Sequence, residues 1–386
     1  MDIGKVVLKR GKERKVHNFY PWIQRGECRA DGVENGSVAR LVDFEGKFLA
    51  VGTYNSSSRF QFRVCSLEDR PLDALFFTER FQAASDLRKS IVHDTDSWRL
   101  VHSEADGIPG LIIDQYGPWL IVQVRSLGME RLKDAWLPAL IDVVKPIGIY
   151  EKSEMAGREE EGLKPNSGPL FGDVPTRVTV TESGLTFDVP VLEGLKTGFY
   201  LDQRETRRRF ASRVKPGDKV LDCFCYTGAF TLNAVRAGAQ AFGVDIHHDA
   251  LEVARENARK NGLEAVFVEA NAFEYIDSDV MGPYDWIILD PPAIAKTADK
   301  RDALKWGIWK LAKAAIPKLK PGGRLIVCSC SYQLSQKELV EICRLAASDC
   351  GTRLFLEDVT YQDVDHPAPI HFPEALYLKC VWLRRS

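Results

Sequence analysis

Long apolar stretches are missing from this sequence. Within its 386 residues, no run approaches the ~20 apolar residues that a membrane-spanning helix needs. The opening residues, MDIGKVVLKRGKERKV, also lack the apolar core of a secretory signal peptide. These absences argue against a membrane or secreted protein, and we expect this protein in the cytoplasm.

Net charge is also nearly absent. The 52 Lys and Arg residues almost balance the 54 Asp and Glu residues, which leaves a formal net charge of −2. Such a chain has no global positive field for nucleic acid, so an RNA-binding surface would have to be a local patch. Basic residues do cluster near the start, where the alternatives are a solvated face and a surface that contacts RNA phosphates. The candidate RNA-binding residues of this run are Lys9, Arg10, Lys12, Arg14 and Lys15.

Cysteine has neither the number nor the spacing of a structural framework. The nine cysteines are odd in number and scattered, which argues against disulfides and for a reducing compartment. The pairs Cys223/Cys225 and Cys328/Cys330 raise zinc as an alternative. Structural zinc prefers more widely spaced cysteines in loops, and alternate strand residues are poorly placed for one tetrahedron. We therefore predict no metal site.

The order of sequence patterns divides the chain into three segments. Residues 1–70 contain short strand patterns and predict a small β-barrel. Residues 71–190 mix helix and hairpin patterns and predict a central α+β domain. Within it, the spacing over 128–144 indicates one helix, and the polar stretch 151–175 indicates an excursion or flexible connection. Residues 191–386 alternate strands and helices with short loops, which predicts an α/β, doubly wound, mostly parallel Rossmann-like sheet.

Two aspartates end the first two strands of this α/β segment. Asp222 precedes the turn CFCYTG, and Asp245 follows about 20 residues later, where an acidic residue can accept hydrogen bonds from ribose hydroxyls. Gly228 lets the backbone approach a ligand, but the turn lacks the G-x-G-x-x-G pattern that binds a pyrophosphate. S-adenosylmethionine fits this pattern, with Asp222 near its ammonium group. The alternative is that each aspartate only caps a helix.

The fourth strand ends in Asp290-Pro291-Pro292. The prolines remove backbone donors and stiffen the turn, which fixes the direction of the carboxylate. Methyltransferases that act on exocyclic amines have a similar motif followed by an aromatic residue, whereas Ala293 follows here. This difference argues against adenine-N6 chemistry.

Cys330 lies at the tip of the fifth strand, where polar residues begin. In a methyltransferase sheet this tip is next to that of Asp290, because adjacent strands are ~4.8 Å apart. A thiolate that adds to C6 of a pyrimidine makes C5 nucleophilic towards a methyl sulfonium, and Asp290 suits the hydrogen-bonding partner needed at N3. Free cysteines also fill cores; we accept that alternative for Cys328 and predict Cys330 as the nucleophile.

With these residues identified, the chain resembles a known family, the bacterial 23S ribosomal RNA cytosine-C5 methyltransferases that carry an N-terminal PUA domain. The resemblance runs nearly from end to end, through PW at 21–22, SEADGIPGLIID at 103–114, KTGFYLDQR at 196–204, CFCYTGAF at 223–230, DPP at 290–292, CSCS at 328–331, DHP at 365–367 and PEALYLK at 373–379. It implies a PUA barrel, a central α+β domain and a Rossmann-like methyltransferase domain. It also implies Cys330 as the nucleophile, and 23S ribosomal RNA or a large-subunit precursor as the partner.

The resemblance further implies a lid over the cofactor, formed by KTGFYLDQR with Tyr200 and Gln203 near the ligand. Two positions depart from the family pattern. Ala293 stands where Lys is frequent, with Lys296 as the nearest lysine, and Asn271 replaces a residue that is often acidic. The predicted cofactor-binding residues are Tyr200, Gln203, Asp222, Phe224, Tyr226, Thr227, Gly228, Asp245, Ile246, Asn271, Ala272 and Asp290.

A second basic run begins with Arg204, the last residue of the lid motif, and continues with three further arginines, Arg207 to Arg209. We predict a second RNA-contact zone there, with Arg204 as its candidate; a solvated helix face is the alternative. Lys296, after the DPP motif, is a further RNA-binding candidate. Two other functions stay open. A relative on the same scaffold methylates guanine N7 without a cysteine on the fifth strand, and a catalytically silent RNA-binding factor would not need Cys330. The sequence does not decide the oligomeric state, for which a homodimer is one expectation.

Overall fold

The structure, a computed structural model, describes residues 3–278, 282–292 and 301–386. The chain forms two compact units. Unit 1 contains Met1–Val178, Val191–Gly198 and Val364–Ala375, and unit 2 contains Thr179–Pro190, Phe199–Asp363 and Leu376–Ser386. The three-domain boundaries predicted from the sequence stay a prediction. Among the described residues, no helix is both long and apolar enough to span a bilayer.

Unit 1 begins with a six-stranded, barrel-like sheet. Its strands are β1 (Gly4–Leu8), β2 (Trp22–Ile23), β3 (Cys28–Ala30), β4 (Val38–Val42), β5 (Phe48–Tyr54) and β6 (Phe62–Ser66), in the order β2-β6-β5-β4-β1-β3. Val6, Leu41 and Phe62 are fully buried inside it. Although residues 1–70 were predicted as a β-barrel of short strands, Arg14 and Lys15 of the basic run lie on a short helix, α1 (Glu13–His17).

The second sheet of unit 1 has five strands, and three helices belong to the same segment. The strands are β7 (Ser97–His102), β8 (Leu111–Tyr116), β9 (Trp119–Val124), β10 (Gly148–Ser153) and β11 (Asn166–Gly172), in the order β11-β10-β9-β8-β7. The helices are α2 (Ala74–Ile91), α3 (Leu127–Arg131) and α4 (Lys133–Val144). Strands β8 and β9 form an antiparallel hairpin around Gly117, in agreement with the hairpin patterns of residues 71–190.

Two expectations for this segment were wrong. Residues 166–172 are not a flexible connection, because β11 pairs antiparallel with β10 as an edge strand, where polar side chains are tolerated. The single helix expected over 128–144 is interrupted at Leu132, between α3 and α4. The Trp136 indole nitrogen donates to the Met129 carbonyl at 2.8 Å, so a side chain occupies an acceptor that a continuous helix would use for its own ladder.

Unit 2 contains a seven-stranded sheet and confirms the predicted fold class. Its strands are β14 (Lys219–Cys223), β15 (Gln240–Asp245), β16 (Val266–Glu269), β17 (Tyr284–Leu289), β18 (Leu319–Ser329), β19 (Leu354–Tyr361) and β20 (Lys379–Arg385). The order is β16-β15-β14-β17-β18-β20-β19, in which β14 to β18 are parallel. Strand β20 runs antiparallel to both of its neighbours. A hairpin of β12 (Val178–Glu182) and β13 (Leu185–Val189) precedes this sheet.

Helices cover both faces of the seven-stranded sheet. They are α5 (Arg204–Arg213), α6 (Ala229–Arg236), α7 (His248–Lys260), α8 (Ala272–Ser278), α9 (Arg301–Ala315) and α10 (Gln336–Asp349). The central strands are apolar on both faces, as expected for a covered parallel sheet. Leu221, Ile287 and Leu325 pack towards α9 and α10, whereas Val220 and Ile288 belong to a cluster with α5 and α6. This topology brings the carboxyl ends of β14, β15, β17 and β18 to one edge.

Candidate active site

Asp222 is buried near the end of β14, where its side chain is 1% exposed. Its Oδ2 accepts hydrogen bonds from the backbone nitrogen of Thr231 at 3.0 Å and from the Thr231 hydroxyl at 2.7 Å. Burial raises the pKa of Asp222 to about 7, and the nearby carboxylates of Asp290 and Asp245 act in the same direction. Three aspartates that end separate strands therefore interact electrostatically.

Asp245 organises the turn that follows β14. Its Oδ2 accepts from the Tyr226 backbone nitrogen at 2.9 Å, and its Oδ1 accepts from the His247 nitrogen at 2.9 Å. Phe224, Tyr226 and Gly228 in this turn all have left-handed backbone conformations, with φ of 66°, 50° and 82°. Such a conformation is costly for the two aromatic residues and is often found where backbone surrounds a ligand. Each carboxylate oxygen of Asp245 still has a lone pair for a ribose hydroxyl.

Gly228 is required by the packing of the protein itself. A Cβ at this position would lie 2.9 Å from Cζ of Phe267 on β16 and 3.1 Å from Cβ of Ala254 on α7. Thr227 beside it is buried, and its carbonyl accepts from the Asn257 side chain at 3.4 Å. The glycine therefore allows α6 to begin close to the sheet, which is a second reason for it besides the approach of a ligand.

The tips of β15 and β16 carry the other predicted cofactor residues. Ile246, directly after Asp245, is an apolar side chain that is 59% exposed. Asn271 precedes α8, and its Oδ1 accepts from the Phe273 backbone nitrogen at 3.0 Å, so it acts as a helix cap. Ala272 is buried. Their contacts with a cofactor stay predictions.

The residues predicted as a lid reach Asp290. The Gln203 amide donates from Nε2 to Asp290 Oδ2 at 2.9 Å, and its Oε1 accepts from the Cys380 thiol at 3.4 Å. The ring of Tyr200 packs edge-on against Tyr226 with centroids 5.4 Å apart. Burial raises the pKa of Tyr200, as do the nearby charges, with Asp290 the largest among them. Gln203 is thus a direct neighbour of the predicted catalytic carboxylate.

The two strand cysteines differ in accessibility. Cys328 is fully buried opposite Cys380 on β20, and burial raises its pKa well above the ordinary value. Cys330 lies just beyond the last residue of β18 and is only half-buried. Of these two thiols, only that of Cys330 is accessible enough for a substrate.

Lys379 is a site residue that sequence reasoning missed. It begins β20 and is the cross-strand partner of Ser329, one residue before Cys330. The lysine is 4% exposed, and its Nζ donates to the Ser331 carbonyl at 2.6 Å. Burial lowers the pKa of Lys379 to about 8, although a charge on Cys330 acts in the opposite direction. In the sequence, Lys379 could be noticed only as a cationic residue at the start of an apolar strand, within the PEALYLK motif.

The predicted RNA contacts are only partly available. Arg204 is 5% exposed and its guanidinium pairs with Asp363, so we no longer propose it as a phosphate contact. In unit 1, Lys12 and Lys15 both pair with Glu27, at 3.3 and 2.7 Å. Lys9, Arg10 and Arg14 are exposed. Ala293 and Lys296 lie outside the described residues.

Three of the resemblance motifs meet in a charged network inside unit 1. The Arg99 guanidinium binds the Asp114 carboxylate at 2.5 and 3.0 Å, and the Thr197 hydroxyl donates to Asp114 at 2.6 Å. The backbone nitrogen of Arg99 donates to Asp365 Oδ2 at 2.8 Å. The SEADGIPGLIID, KTGFYLDQR and DHP motifs thus contribute to one structural network. The described residues contain no group of three or more His, Cys, Asp and Glu side chains that could hold a metal ion.

Comparison with known proteins agrees with this architecture. A methyltransferase-domain family model matches residues 214–363, and a PUA-like domain model matches residues 6–67. A Streptococcus mutans protein assigned as a SAM-dependent methyltransferase has the same fold, with a TM-score of 0.85 at 21% identity over 99% of this chain and all of that one. A second protein assigned as a methyltransferase, solved in complex with SAH, gives a TM-score of 0.87 at 21% identity, with the same coverage. Fold and site together define a class I S-adenosylmethionine-dependent methyltransferase with a PUA-like domain.

The sequence relatives give the particular family. The ribosomal RNA large subunit methyltransferase I of Vibrio cholerae is 35% identical over 97% of both chains. The protein of the same name from Klebsiella pneumoniae is 35% identical over 97% of this chain and 96% of its own. This chain belongs to the ribosomal RNA large subunit methyltransferase I family. The family resemblance and the expected cofactor are thereby confirmed.

The residues at the strand tips fit S-adenosylmethionine. The negative charges of Asp245 and Asp290 repel the charge of Asp222, and this repulsion contributes to the raised pKa of Asp222. A ligand that carries a sulfonium and an ammonium group would relieve this repulsion. We therefore expect Asp222 to hold the ammonium group, Asp245 to accept from the ribose, and Ile246 to offer an apolar contact.

Proposed function

We propose that this protein forms 5-methylcytosine in 23S ribosomal RNA of the large subunit, through a covalent bond between Cys330 Sγ and C6 of the target base. The proposal rests chiefly on Cys330, a half-buried thiol just past the end of β18. The predicted catalytic residue Asp290 follows the adjacent parallel strand β17. The names of the sequence relatives supply the class of RNA.

The chemistry of cytosine requires a nucleophile at this position. C5 is a poor nucleophile until a thiolate adds to C6; the new S–C6 bond then shifts the electrons of the C5–C6 double bond towards C5. Negative charge develops towards N3, where Asp290 in its protonated form would donate a hydrogen bond. Once the methyl group is on C5, loss of the C5 proton re-forms the C5–C6 double bond and expels Sγ with its electron pair. Gln203 holds the Asp290 carboxylate by its 2.9 Å hydrogen bond. When bound, S-adenosylmethionine supplies the electrophilic methyl group.

Other residues bind and orient in this scheme. The target base must leave its stack to reach the strand tips, so we expect a single-stranded or loosely paired site. Phe224 and Tyr226 line the strained turn beside that edge. Lys9, Arg10 and Arg14 are the exposed cations of unit 1 that we propose as phosphate contacts. All nine cysteines are free thiols, which supports a reducing compartment such as the cytoplasm.

A trapped adduct tests the covalent step. In RNA that carries 5-fluorocytosine, C5 has no proton to lose after methylation, so the enzyme should stay bound to the RNA through Sγ. We expect wild type and Cys328→Ala to form this adduct on denaturing gels, and Cys330→Ala to form none. An adduct in Cys330→Ala would contradict the assignment of the nucleophile.

The products separate the remaining functions. Mass mapping of large-subunit RNA after reaction should show 5-methylcytosine at a defined position. Methylation of guanine N7 without an adduct would instead support the alternative enzyme on this scaffold. RNA binding without any methylation in the presence of S-adenosylmethionine would support the catalytically silent factor.

A further inference from the structure

Lys379 is a buried cation with no carboxylate partner in the described part of the chain. Its single hydrogen bond goes from Nζ to the Ser331 carbonyl at 2.6 Å. Strand β20, which Lys379 begins, pairs with β18 and β19, and 4% of the residue is exposed. A lysine in such a place loses most of its hydration, and buried lysines are usually paired. The arrangement therefore needs another source of stabilisation for the ammonium group.

The groups that face Lys379 identify that source. The charges that favour its protonated form are, in order of size, those of Cys330, Cys380 and Glu338. Cys380 is itself fully buried and donates to Gln203. From β19, the cross-strand neighbour is Tyr361, whose hydroxyl donates to Gln336 at 2.7 Å. A thiolate on Cys330 is thus the leading anionic partner of Lys379.

We propose that Lys379 is a positioning residue for Cys330, whose ammonium group stabilises the reactive thiolate and whose hydrogen bond to Ser331 fixes the backbone next to it. This inference rests on the proposed function, in which Cys330 is the nucleophile. When the thiol ionises, the S–H bond breaks, the proton leaves for water, and Sγ keeps the electron pair. Lys379 keeps its own proton throughout this step.

The interaction must be reciprocal. If a thiolate on Cys330 raises the pKa of Lys379, then the Lys379 ammonium lowers the pKa of Cys330 by the same amount. Both shifts express one interaction free energy. Burial brings the pKa of Lys379 to about 8. The ammonium form therefore predominates below about pH 8 and is lost above it. The thiolate receives this support at neutral pH, where an ordinary thiol with a pKa of ~8.5 is mostly protonated.

The test is the pH dependence of alkylation of Cys330 in the full-length protein. Iodoacetamide reacts with the thiolate, and peptide mass spectrometry separates Cys330 from the other eight cysteines. In Lys379→Met, which keeps an apolar stem without charge, we expect the midpoint of Cys330 alkylation to rise by about one pH unit or more. That rise corresponds to about a tenfold slower reaction at pH 7. Lys379→Arg should restore most of the reactivity, and half-buried Cys350 is the internal control that should not change.

An unchanged midpoint in folded Lys379→Met would overturn the proposal. If that variant does not fold, Lys379→Arg carries the test, because a charge that persists above pH 8 must keep the midpoint at or below the wild-type value. A higher midpoint in Lys379→Arg would then be the contrary result. Alkylation needs neither RNA nor cofactor, so this test and the 5-fluorocytosine trap can fail separately. Failure of the 5-fluorocytosine trap with an intact Lys379 effect would remove only the assignment of Cys330 as nucleophile.

Discussion

The amide of Gln203 connects Asp290 with Cys380. Its Nε2 donates to the carboxylate at 2.9 Å, and its Oε1 accepts from the thiol at 3.4 Å. Gln203 is 2% exposed and its bond to Cys380 is buried, whereas Asp290 is only partly buried. A neutral side chain at this place donates to Asp290 without adding charge to a site that already contains three interacting carboxylates.

Substitution of Gln203 should therefore slow catalysis through Asp290. Gln203→Leu removes one donor to a charged group, which is worth about 1.5–3 kcal/mol, and we expect methylation in single turnover to fall about 10- to 100-fold. Gln203→Glu should be at least as slow, since it adds a fourth carboxylate. The KM for RNA should change little. Wild-type rates in both variants would show that Asp290 does not need this contact.

Binding of S-adenosylmethionine should tighten as the pH rises. The pKa of Asp222 is raised to about 7, and a cationic ligand prefers the ionised carboxylate. If only that form binds, the affinity should rise about tenfold between pH 6 and pH 8. Calorimetry on wild type and on Asp222→Asn should show this rise in the first and a flat, weaker affinity in the second. A flat profile in wild type would exclude Asp222 from contact with the cation.

In the ligand-free protein, the raised pKa of Asp222 should make the fold less stable as the pH rises. Because the folded state raises the pKa of Asp222 above its ordinary value of 3.8, ionisation costs more in the folded state than in the unfolded one. Asp222 therefore reduces the free energy of unfolding as the pH rises from 3.8 to about 7. Asp222→Asn should remove this decline, which denaturant titrations at several pH values can measure.

The candidate site residues at the strand tips could be predicted because the sequence pattern that marks the end of each strand is local. Strand β17 reads YDWIIL, a buried run that stops at Asp290, and parallel topology then brings such endings to one edge. The β11 strand was missed because its residues are polar and its order depends on pairing with β10. Lys379 was missed for a similar reason. Its place beside Cys330 depends on β20 entering the sheet antiparallel between β18 and β19, and no local pattern specifies that choice.

The exposure of each arginine in the second basic run could not be predicted from the local sequence either. Arg207 and Arg208 are adjacent in sequence, yet the first side chain is 2% exposed and the second 60% exposed. The helix α5 turns one towards the hairpin residue Glu182 and the other towards solvent. A run of like charges therefore predicts an exposed surface. Which arginines of the run lie on that surface depends on helical periodicity and on a carboxylate that is distant in sequence.

The buried pair of Arg207 and Glu182 should contribute strongly to stability. Two 2.7 Å hydrogen bonds join them, and Arg207 also donates to the Tyr200 carbonyl at 2.9 Å. Arg207→Met leaves a buried, unpaired carboxylate and should lower the free energy of unfolding by about 3–5 kcal/mol. The control Arg208→Met removes an exposed pair with Glu205 and should cost at most about 1 kcal/mol. Equal losses in urea titrations would contradict the burial argument.

RNA binding by unit 1 should depend on its exposed cations rather than on its paired ones. Each phosphate contact contributes about 0.7–0.9 to the slope of log K against log salt. The double variant Lys9→Gln/Arg14→Gln should therefore weaken binding of large-subunit RNA and flatten the slope by about 1.4–1.8. The matched variant Lys12→Gln/Lys15→Gln should change the slope less, because Glu27 already balances these lysines. Arg344→Gln, an exposed arginine on α10, serves as a control outside unit 1. Equal slopes for wild type and Lys9→Gln/Arg14→Gln, measured by filter binding across a salt series, would remove these two residues from the RNA-binding surface.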